Sequence, residues 1–326
     1  MKDRQAINLL RDFLDASKYR KILEINHCKA DQIRIDPEVD LIIIHDDLSS
    51  IDYYFSFLKS LSMKIKKNTK VILYIPDETL QMQRSSQSKS LFYLRSGLVQ
   101  LTQSNWIYRR LFEKSKSIIY LPELIGRLFY LGYSIEKEVK RGKYTFVECK
   151  KILDKNNFDD EKNYGLFLWL NRLGKNDKEI AVPKLRTMFP YSEYCHQYYI
   201  DKKGIGRIGK VKDDPRITRL GKVLRKYYLD EIPQLFLVMT GTLNLVGLRP
   251  ISKVFLKKYP ADIIEKRKKF KPGVLPVTAT DRINSLDDIF EREREYIKYR
   301  SDEGQMTDLK YLIKIVAYIF RGNRSN

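Results

Sequence analysis

A chain of 326 residues, 43% of them hydrophobic, is long enough for two ordinary domains and too apolar for a disordered one. Its formal net charge of +21 favours anionic partners: nucleic acid, an anionic leaflet or phosphorylated substrates. Three scattered cysteines, Cys28, Cys149 and Cys195, argue against a disulfide framework or a zinc site and fit a reducing cytoplasm.

The first twenty residues are amphipathic and charged, without the apolar core of a signal peptide. Residues 21–25 (KILEI) predict a short strand, and residues 39–44 a strand buried on both faces that runs into the acids of HDD. Residues 51–61 repeat apolar side chains at helical spacing, and residues 71–75 (VILYI) predict another buried strand, stopped by Pro76. Residues 121–133 (LPELIGRLFYLGY) predict a helix entered through Pro122 and closed near Gly132. Residues 134–151 predict a hairpin turning near Arg141 and Gly142. This order predicts a small doubly wound, Rossmann-like α/β domain over residues 1–153. It resembles the closing half of class I methyltransferases in degenerate form. KILEI is followed by NHCKADQI, with no glycine to let a cofactor phosphate approach the backbone, so a scaffold or docking domain is expected. Residues 154–163 (DKNNFDDEKN), polar and acidic, predict a linker.

The chain changes character in residues 164–326. Residues 172–176 (RLGKN) read as a hairpin turn, and the alternation in PKLRT puts Lys184 and Arg186 on one strand face. Asp213-Asp214-Pro215 signals a turn and a helix start. On that helix Leu220, Val223 and Leu224 would form the buried stripe, with Arg216 before it and Arg225 at its end. In Asp230-Glu231-Ile232-Pro233-Gln234, Pro233 fits the first turn of a helix, which makes Asp230 an N-cap. Neighbouring acids cannot share a helix face, but at a helix start they can flank one phosphate or metal. Gly241 and Gly247 mark tight backbone; Pro250 biases Arg249 to an extended conformation suited to bidentate phosphate binding. Arg267 and Lys271 lead into a turn at Pro272-Gly273. Residues 311–320 (YLIKIVAYIF) form the longest apolar run, ten residues broken by Lys314, so no run approaches the ~20 residues that span a bilayer. They belong to a final amphipathic helix that suits a core or a lipid interface. An acid pair set between arginines suits chemistry on a phosphoanhydride, the acids as nucleophile, base or metal ligands and the arginines as phosphate holders.

These blocks resemble, nearly position for position, the signature of the bacterial sugar transferases, the monotopic polyprenyl-phosphate phosphoglycosyl transferases. The resemblance runs from residue 164 to about 322. Arg172, Gly174, Lys175 and Asn176 fit the family's RxGKNG turn, with Asp177 where glycine is usual, and Lys184, Arg186, Thr187 and Met188 fit KxRTM. Arg216, Thr218, Gly221, Leu224 and Arg225 fit DxRxTxxGxxLR; residues 241–250 fit GxxxLVGxRP. The resemblance implies an α+β sugar-transferase domain that moves sugar-1-phosphate from a UDP-sugar to polyprenyl (undecaprenyl) phosphate, releasing UMP and starting surface polysaccharide or glycoconjugate assembly. It implies Asp230 as the nucleophile of a phosphosugar-enzyme intermediate and Asp230 with Glu231 as holders of Mg²⁺. Phosphates would fall to Lys184, Arg186, Arg216, Arg225, Arg249 and Lys271. Two departures stand out. After KPG the chain reads VLPVTATDR where many members read TGxxQ, and an α/β domain stands where members carry an apolar re-entrant segment. Docking at the cytoplasmic face of the inner membrane is therefore expected to be peripheral or partner-recruited. The rival expectation is a non-catalytic scaffold that binds polyprenyl phosphate or a glycosyltransferase partner. No nucleic-acid motif is present, and no nucleic-acid partner is expected.

Overall fold

The computed structural model describes residues 4–13, 16–26, 35–36, 38–51, 53–85, 88, 92–93, 118–154, 164–206 and 210–320. They form a mixed α/β protein of two compact units. The first is Met1–Tyr164 together with Phe189–Tyr198, and the second is Gly165–Met188 together with Tyr199–Asn326.

The first unit is built on one sheet of order β1-β2-β3-β5-β4, with β1 Ile22–Ile25, β2 Leu41–Ile44, β3 Lys70–Pro76, β4 Tyr133–Arg141 and β5 Tyr144–Lys151. The first three strands are parallel, and β5 runs antiparallel to both β3 and β4. Alternate residues of the apolar runs supply two separate cores, as the strand period of two requires. Ile42, Ile44, Val71 and Leu73 pack with Phe55, Leu58 and Leu61 of α2 (Tyr54–Lys64) and with Leu124 and Leu128 of α4 (Leu121–Tyr130). Leu41, Ile43, Ile72 and Tyr74 pack on the other face with Leu10 and Phe13 of α1 (Arg4–Phe13); α3 is Glu78–Ser85. Pro122 opens α4, Gly132 (φ 84°) follows its end, and Gly142 (φ 57°) makes the β4–β5 turn. The glycine-free turn of residues 27–34 and linker residues 155–163 lie outside the described residues.

Rather than one continuous stretch from residue 164, the family-like half thus lends Phe189–Tyr198 to the first unit. Aromatic packing is the physical reason. The Tyr191 ring lies 5.3 Å from that of Phe55, 5.1 Å from Tyr130 and 4.8 Å from Tyr164, and the Arg127 guanidinium stacks 4.6 Å from its centroid.

The second unit holds two small sheets. Antiparallel β6 (Phe167–Leu173) and β7 (Glu179–Leu185) are joined by a turn in which Asn176 and Asp177 both take left-handed backbone, φ 56° and 57°. Such a turn explains a glycine preference at position 177, where aspartate is tolerated better than most residues. Parallel β8 (Asn244–Gly247) and β9 (Gly273–Pro276) form the other. The helices used below are α5 Arg219–Lys226, α6 Leu235–Met239, α7 Ala261–Arg267, α8 Leu286–Glu303 and α9 Met306–Phe320. Val246, Ile263, Val277, Phe290, Ile297, Tyr311 and Ile315 form the core. One face of α9 therefore belongs to this core, while Leu309, Ile313, Val316 and Phe320 on the same helix are exposed.

Two expectations need correction. Helix α5 starts at Arg219, capped by Thr218, whose Oγ1 accepts a 2.8 Å bond from Gly221 N; Asp213 instead sits in a left-handed turn (φ 44°). Nor is the stripe Leu220–Val223–Leu224 buried, since Val223 is exposed and the other two are only partly covered. The buried residue of α5 is Gly221, whose missing side chain lets the helix rest on the Thr187 carbonyl, a place any Cβ would overlap.

Candidate active site

Residues Leu229–Gln234 form a 3-10 helix that runs directly into α6. It is entered from Tyr228, whose backbone is left-handed (φ 57°), and the bond from Glu231 N to Tyr228 O (3.1 Å) closes its first turn. Asp230 is therefore not the N-cap; that position belongs to Tyr228, and Asp230 falls inside the first turn. In a 3-10 helix residues i and i+3 eclipse, so Glu231 and Gln234 lie along one line.

The burial of this segment is inverted. Asp230, Glu231 and Gln234 are 5, 4 and 0% exposed, whereas the neighbouring Leu229, Ile232, Leu235, Phe236 and Met239 are exposed, the last two at 65 and 85%. Burying polar groups while displaying apolar ones opposes the hydrophobic effect twice, so a site and a surface are both implied.

The acids meet cations from other elements. Lys184 of β7 places Nζ 2.5 Å from Glu231 Oε1 and 3.7 Å from Asp230 Oδ2. Arg249, two residues past β8, donates from Nη2 to Glu231 Oε1 at 3.3 Å. Burial pulls the Lys184 ammonium below its ordinary range, against the attraction of Glu231. The Glu231 charge holds Arg249 above its ordinary value. Burial, and then the charge of Arg249, lower Arg172 on β6. Lys184 and Arg249 thus meet the two acids, and the charge of Arg249 works against that of Lys184 and of Arg172, a repulsion that an added phosphate would relieve.

Two groups on the buried face are unsatisfied. Among the described residues, Asp230 Oδ1 and both amide atoms of Gln234 are buried without a hydrogen-bond partner. Unpaired buried polar atoms are rare in folded proteins and point to a ligand, ion or water. Among the described residues no group of three or more His, Cys, Asp or Glu side chains could hold a metal ion. Magnesium asks for less: one or two carboxylates beside substrate phosphates and water, which this all-oxygen pair with its free Asp230 oxygen satisfies.

Of the cations expected at phosphate, the structure brings Lys184 and Arg249 to the acids. Arg186 donates from Nε to Gly165 O at 3.0 Å, and Arg225 from Nε to Thr187 Oγ1 at 2.8 Å, so both brace the strand end that follows Lys184. Arg216 is buried and forks onto Asp214, at 2.9 Å from Nε and 2.6 Å from Nη2, which closes the turn before α5. Lys271 is exposed, its Nζ close to Gly241. Sequence reasoning missed Gln234 as a site residue; it had one usable signal, its spacing of three from Glu231.

Among the described residues no helix is long and apolar enough to cross a membrane. Residues 158–322, half of the chain, match the family described as Bacterial sugar transferase. Similar proteins include the galactosyl transferase CpsE of Streptococcus agalactiae, 29% identical over 153 residues (47% of this chain, 34% of the relative). The UDP-galactose-lipid carrier transferase of Erwinia amylovora is 29% identical over 157 residues, 46% of this chain and 32% of the relative. The undecaprenyl-phosphate galactose phosphotransferase of Salmonella typhimurium is 35% identical over 121 residues, 36% of this chain and 25% of the relative. The matched stretch thus spans about a third or less of each of these three relatives. With half of the chain matched to its model, and Asp230, Glu231, Lys184 and Arg249 brought together, the chain belongs to the bacterial sugar transferases.

Proposed function

We propose that the second unit transfers sugar-1-phosphate from a UDP-sugar to polyprenyl phosphate at the cytoplasmic face of the inner membrane, the first step of a surface polysaccharide or glycoconjugate. The observation that carries this reading is the buried Oδ1 of Asp230, without a hydrogen-bond partner, on an acid pair that Lys184 and Arg249 hold. Asp230 Oδ1 attacks the phosphorus bonded to the sugar. The P–O bond to UMP breaks, its electron pair leaves with UMP, and the sugar remains on an aspartyl phosphate. An oxygen of polyprenyl phosphate then attacks the same phosphorus, and the bond to Asp230 breaks to restore the carboxylate. Lys184 and Arg249 stabilise the charge that builds on the phosphoryl oxygens, and Glu231 holds both cations in place. Asp230 and Glu231 are the residues that would hold Mg²⁺, which when bound offsets the repulsion between a carboxylate and a pyrophosphate. The names of the relatives, with UDP-galactose, a lipid carrier and undecaprenyl phosphate among them, support the choice of donor and acceptor.

The inverted helix supports a membrane surface as the place of reaction. A lipid-borne phosphate lies at the boundary between hydrocarbon and water, and the exposed Ile232, Leu235, Phe236 and Met239 flank the acids that would receive it. Exposed Arg219, Lys222 and Lys226 on α5 add attraction for anionic lipids.

The test is UMP release from a panel of UDP-sugars with polyprenyl phosphate in vesicles, with and without Mg²⁺. Release with one sugar, abolished by chelation, is expected, together with a sugar phosphate trapped on the peptide that contains Asp230. No release with any sugar would sink the transfer reading and leave the scaffold. Full release in chelator would remove the metal.

A further inference from the structure

A second charged cluster lies in the core of the same unit. Glu293, on α8, is 0% exposed, and its carboxylate pairs with Nη1 of Arg267 at the end of α7. The Tyr259 hydroxyl donates to Glu293 Oε1 at 3.2 Å, and the Tyr259 ring lies 5.0 Å from the Arg267 guanidinium carbon. The other arm of the guanidinium, Nη2, donates to the backbone carbonyl of Arg249 at 2.6 Å. Arg267 is thus held by an acid and a ring, and it holds a peptide.

That peptide is the one that aims the phosphate-site arginine. On its other side Leu248 O accepts a 2.8 Å bond from Gly273 N. The bond is possible because β8 and β9 approach through paired glycines: a Cβ on Gly247 would lie 2.9 Å from Gly273 N. The KPG glycine pins the carbonyl before Arg249, and Arg267 pins the carbonyl after it. With Pro250 following, the Arg249 backbone is fixed on both sides.

Stability alone does not account for the pair. Desolvation of two buried charges generally offsets their attraction, and apolar residues of similar size do as well or better. Nor would lysine serve at position 267. One ammonium can meet Glu293, whereas a planar fork can meet Glu293 and the Arg249 carbonyl together.

We propose that Arg267 and Glu293 are positioning residues for the phosphate site: Glu293 orients the Arg267 fork, and the fork holds the Arg249 peptide so that its guanidinium reaches Glu231 and a bound phosphate. The proposal rests on the sugar-phosphate transfer reading. It assigns a role to two residues that touch no reacting atom.

The test is a double-mutant cycle. Turnover is measured for wild type, Arg267→Lys, Arg249→Ala and the double variant, with melting temperature as the check on folding. A misplacement of the order of 1 Å lowers rate by roughly 100-fold, so Arg267→Lys should lose ~10–100-fold in kcat with an intact fold. In the Arg249→Ala background the same change should lose less than about twofold, because the group through which it acts is gone. Equal losses in both backgrounds, or full turnover by a folded Arg267→Lys, would overturn the proposal. Should Arg267→Lys fail to fold, Glu293→Gln takes its place in the same cycle, since it keeps an acceptor for Tyr259 and removes the charge that orients Arg267. If wild type releases no UMP, the transfer reading has failed. The cycle is then read on equilibrium binding of UDP, where the same loss of coupling is expected and additive losses would reject positioning.

Discussion

Both units bury charged side chains, but they treat them differently. In the first unit Glu123 accepts bonds from Arg127 at 3.0 and 2.8 Å and from the Tyr54 hydroxyl at 3.2 Å, while the Arg127 guanidinium stacks 4.3 Å from the Phe55 centroid. Lys151 Nζ donates to Leu131 O at 2.9 Å and to Ser62. The strands around them are conventionally apolar inside. In the second unit the 3-10 helix buries an aspartate oxygen and a glutamine amide without hydrogen-bond partners and turns its leucine and isoleucine outward, as α6 does Phe236. Arg127 Nη1 also lacks a hydrogen bond, but the guanidinium as a whole keeps its acid and its ring, and a buried charge held in that way stabilises a fold. Buried polar atoms without hydrogen bonds, next to exposed apolar side chains on the same turn, indicate a place built for something else to complete.

The comparison breaks most sharply at its two acids. Asp230→Asn removes the proposed nucleophile from a site that already tolerates an oxygen without a hydrogen bond. Turnover should fall by at least about 10⁴-fold, as for other covalent nucleophiles, while the melting temperature moves by only a few degrees. Glu123→Gln leaves the buried Arg127 charge without its acid and should lower stability by roughly 3–5 kcal/mol, with turnover of the protein that stays folded near wild type. Thermal melts and UMP release on both variants read this contrast. The opposite ranking, with Asp230→Asn unfolding the chain and Glu123→Gln tolerated, would mean the acids have exchanged roles.

A smaller effect sharpens the same point within one turn of helix. Gln234→Leu removes a fully buried amide that has no partner, so it should stabilise the second unit by ~1–3 kcal/mol. If that amide serves a phosphate or a cation, turnover should fall by roughly 10–100-fold, the worth of a hydrogen bond to a charged group. A stabilised protein with lower turnover is the expected pair of results. A destabilised one would show that the amide is satisfied in the folded chain.

The legible parts of this molecule are those in which one residue's role is set by its near neighbours. The strand at residues 71–75 was readable because a continuous apolar run stopped by proline fits a strand buried on both faces, which β3 is. The β4–β5 turn was readable because Gly142 takes positive φ. The acid pair and Arg249 were readable because the motif places them within a short stretch, and Lys184 because strand alternation put it on one face with Arg186, of which only Lys184 reaches the acids. What failed depends on distant partners or rare backbone. No propensity announces that Tyr228 adopts left-handed φ and moves the helix start ahead of Asp230. Helical periodicity put Val223 inside, since it counts apolar residues without knowing that Gly221 is the contact point on Thr187. The place of Phe189–Tyr198 was hidden because Tyr191 finds its partners at Phe55 and Tyr130, far back in the chain.

The last contrast lies between two exposed apolar faces of the second unit. Sequence patterning left the final helix open to a core or a lipid interface; Tyr311 and Ile315 are core, whereas Met306, Leu309, Ile313, Val316 and Phe320 are exposed. The rival face is α6 with the preceding turn, next to the acids. Substituting Phe236→Ser with Met239→Ser should leave stability within about 0.5 kcal/mol, because both side chains are already exposed. It should weaken binding to anionic vesicles by ~10-fold or more, since burying a Phe or Met side chain is worth about 1.5–3 kcal/mol. Ile313→Ser with Val316→Ser should do less. Flotation at low and high salt separates the apolar contribution from that of Arg219, Lys222 and Lys226, which salt screens. If the α9 pair releases the protein and the α6 pair does not, the membrane lies against α9. The acids would then have to meet their lipid-borne phosphate some other way, and the exposed turn beside them would be left for a different partner.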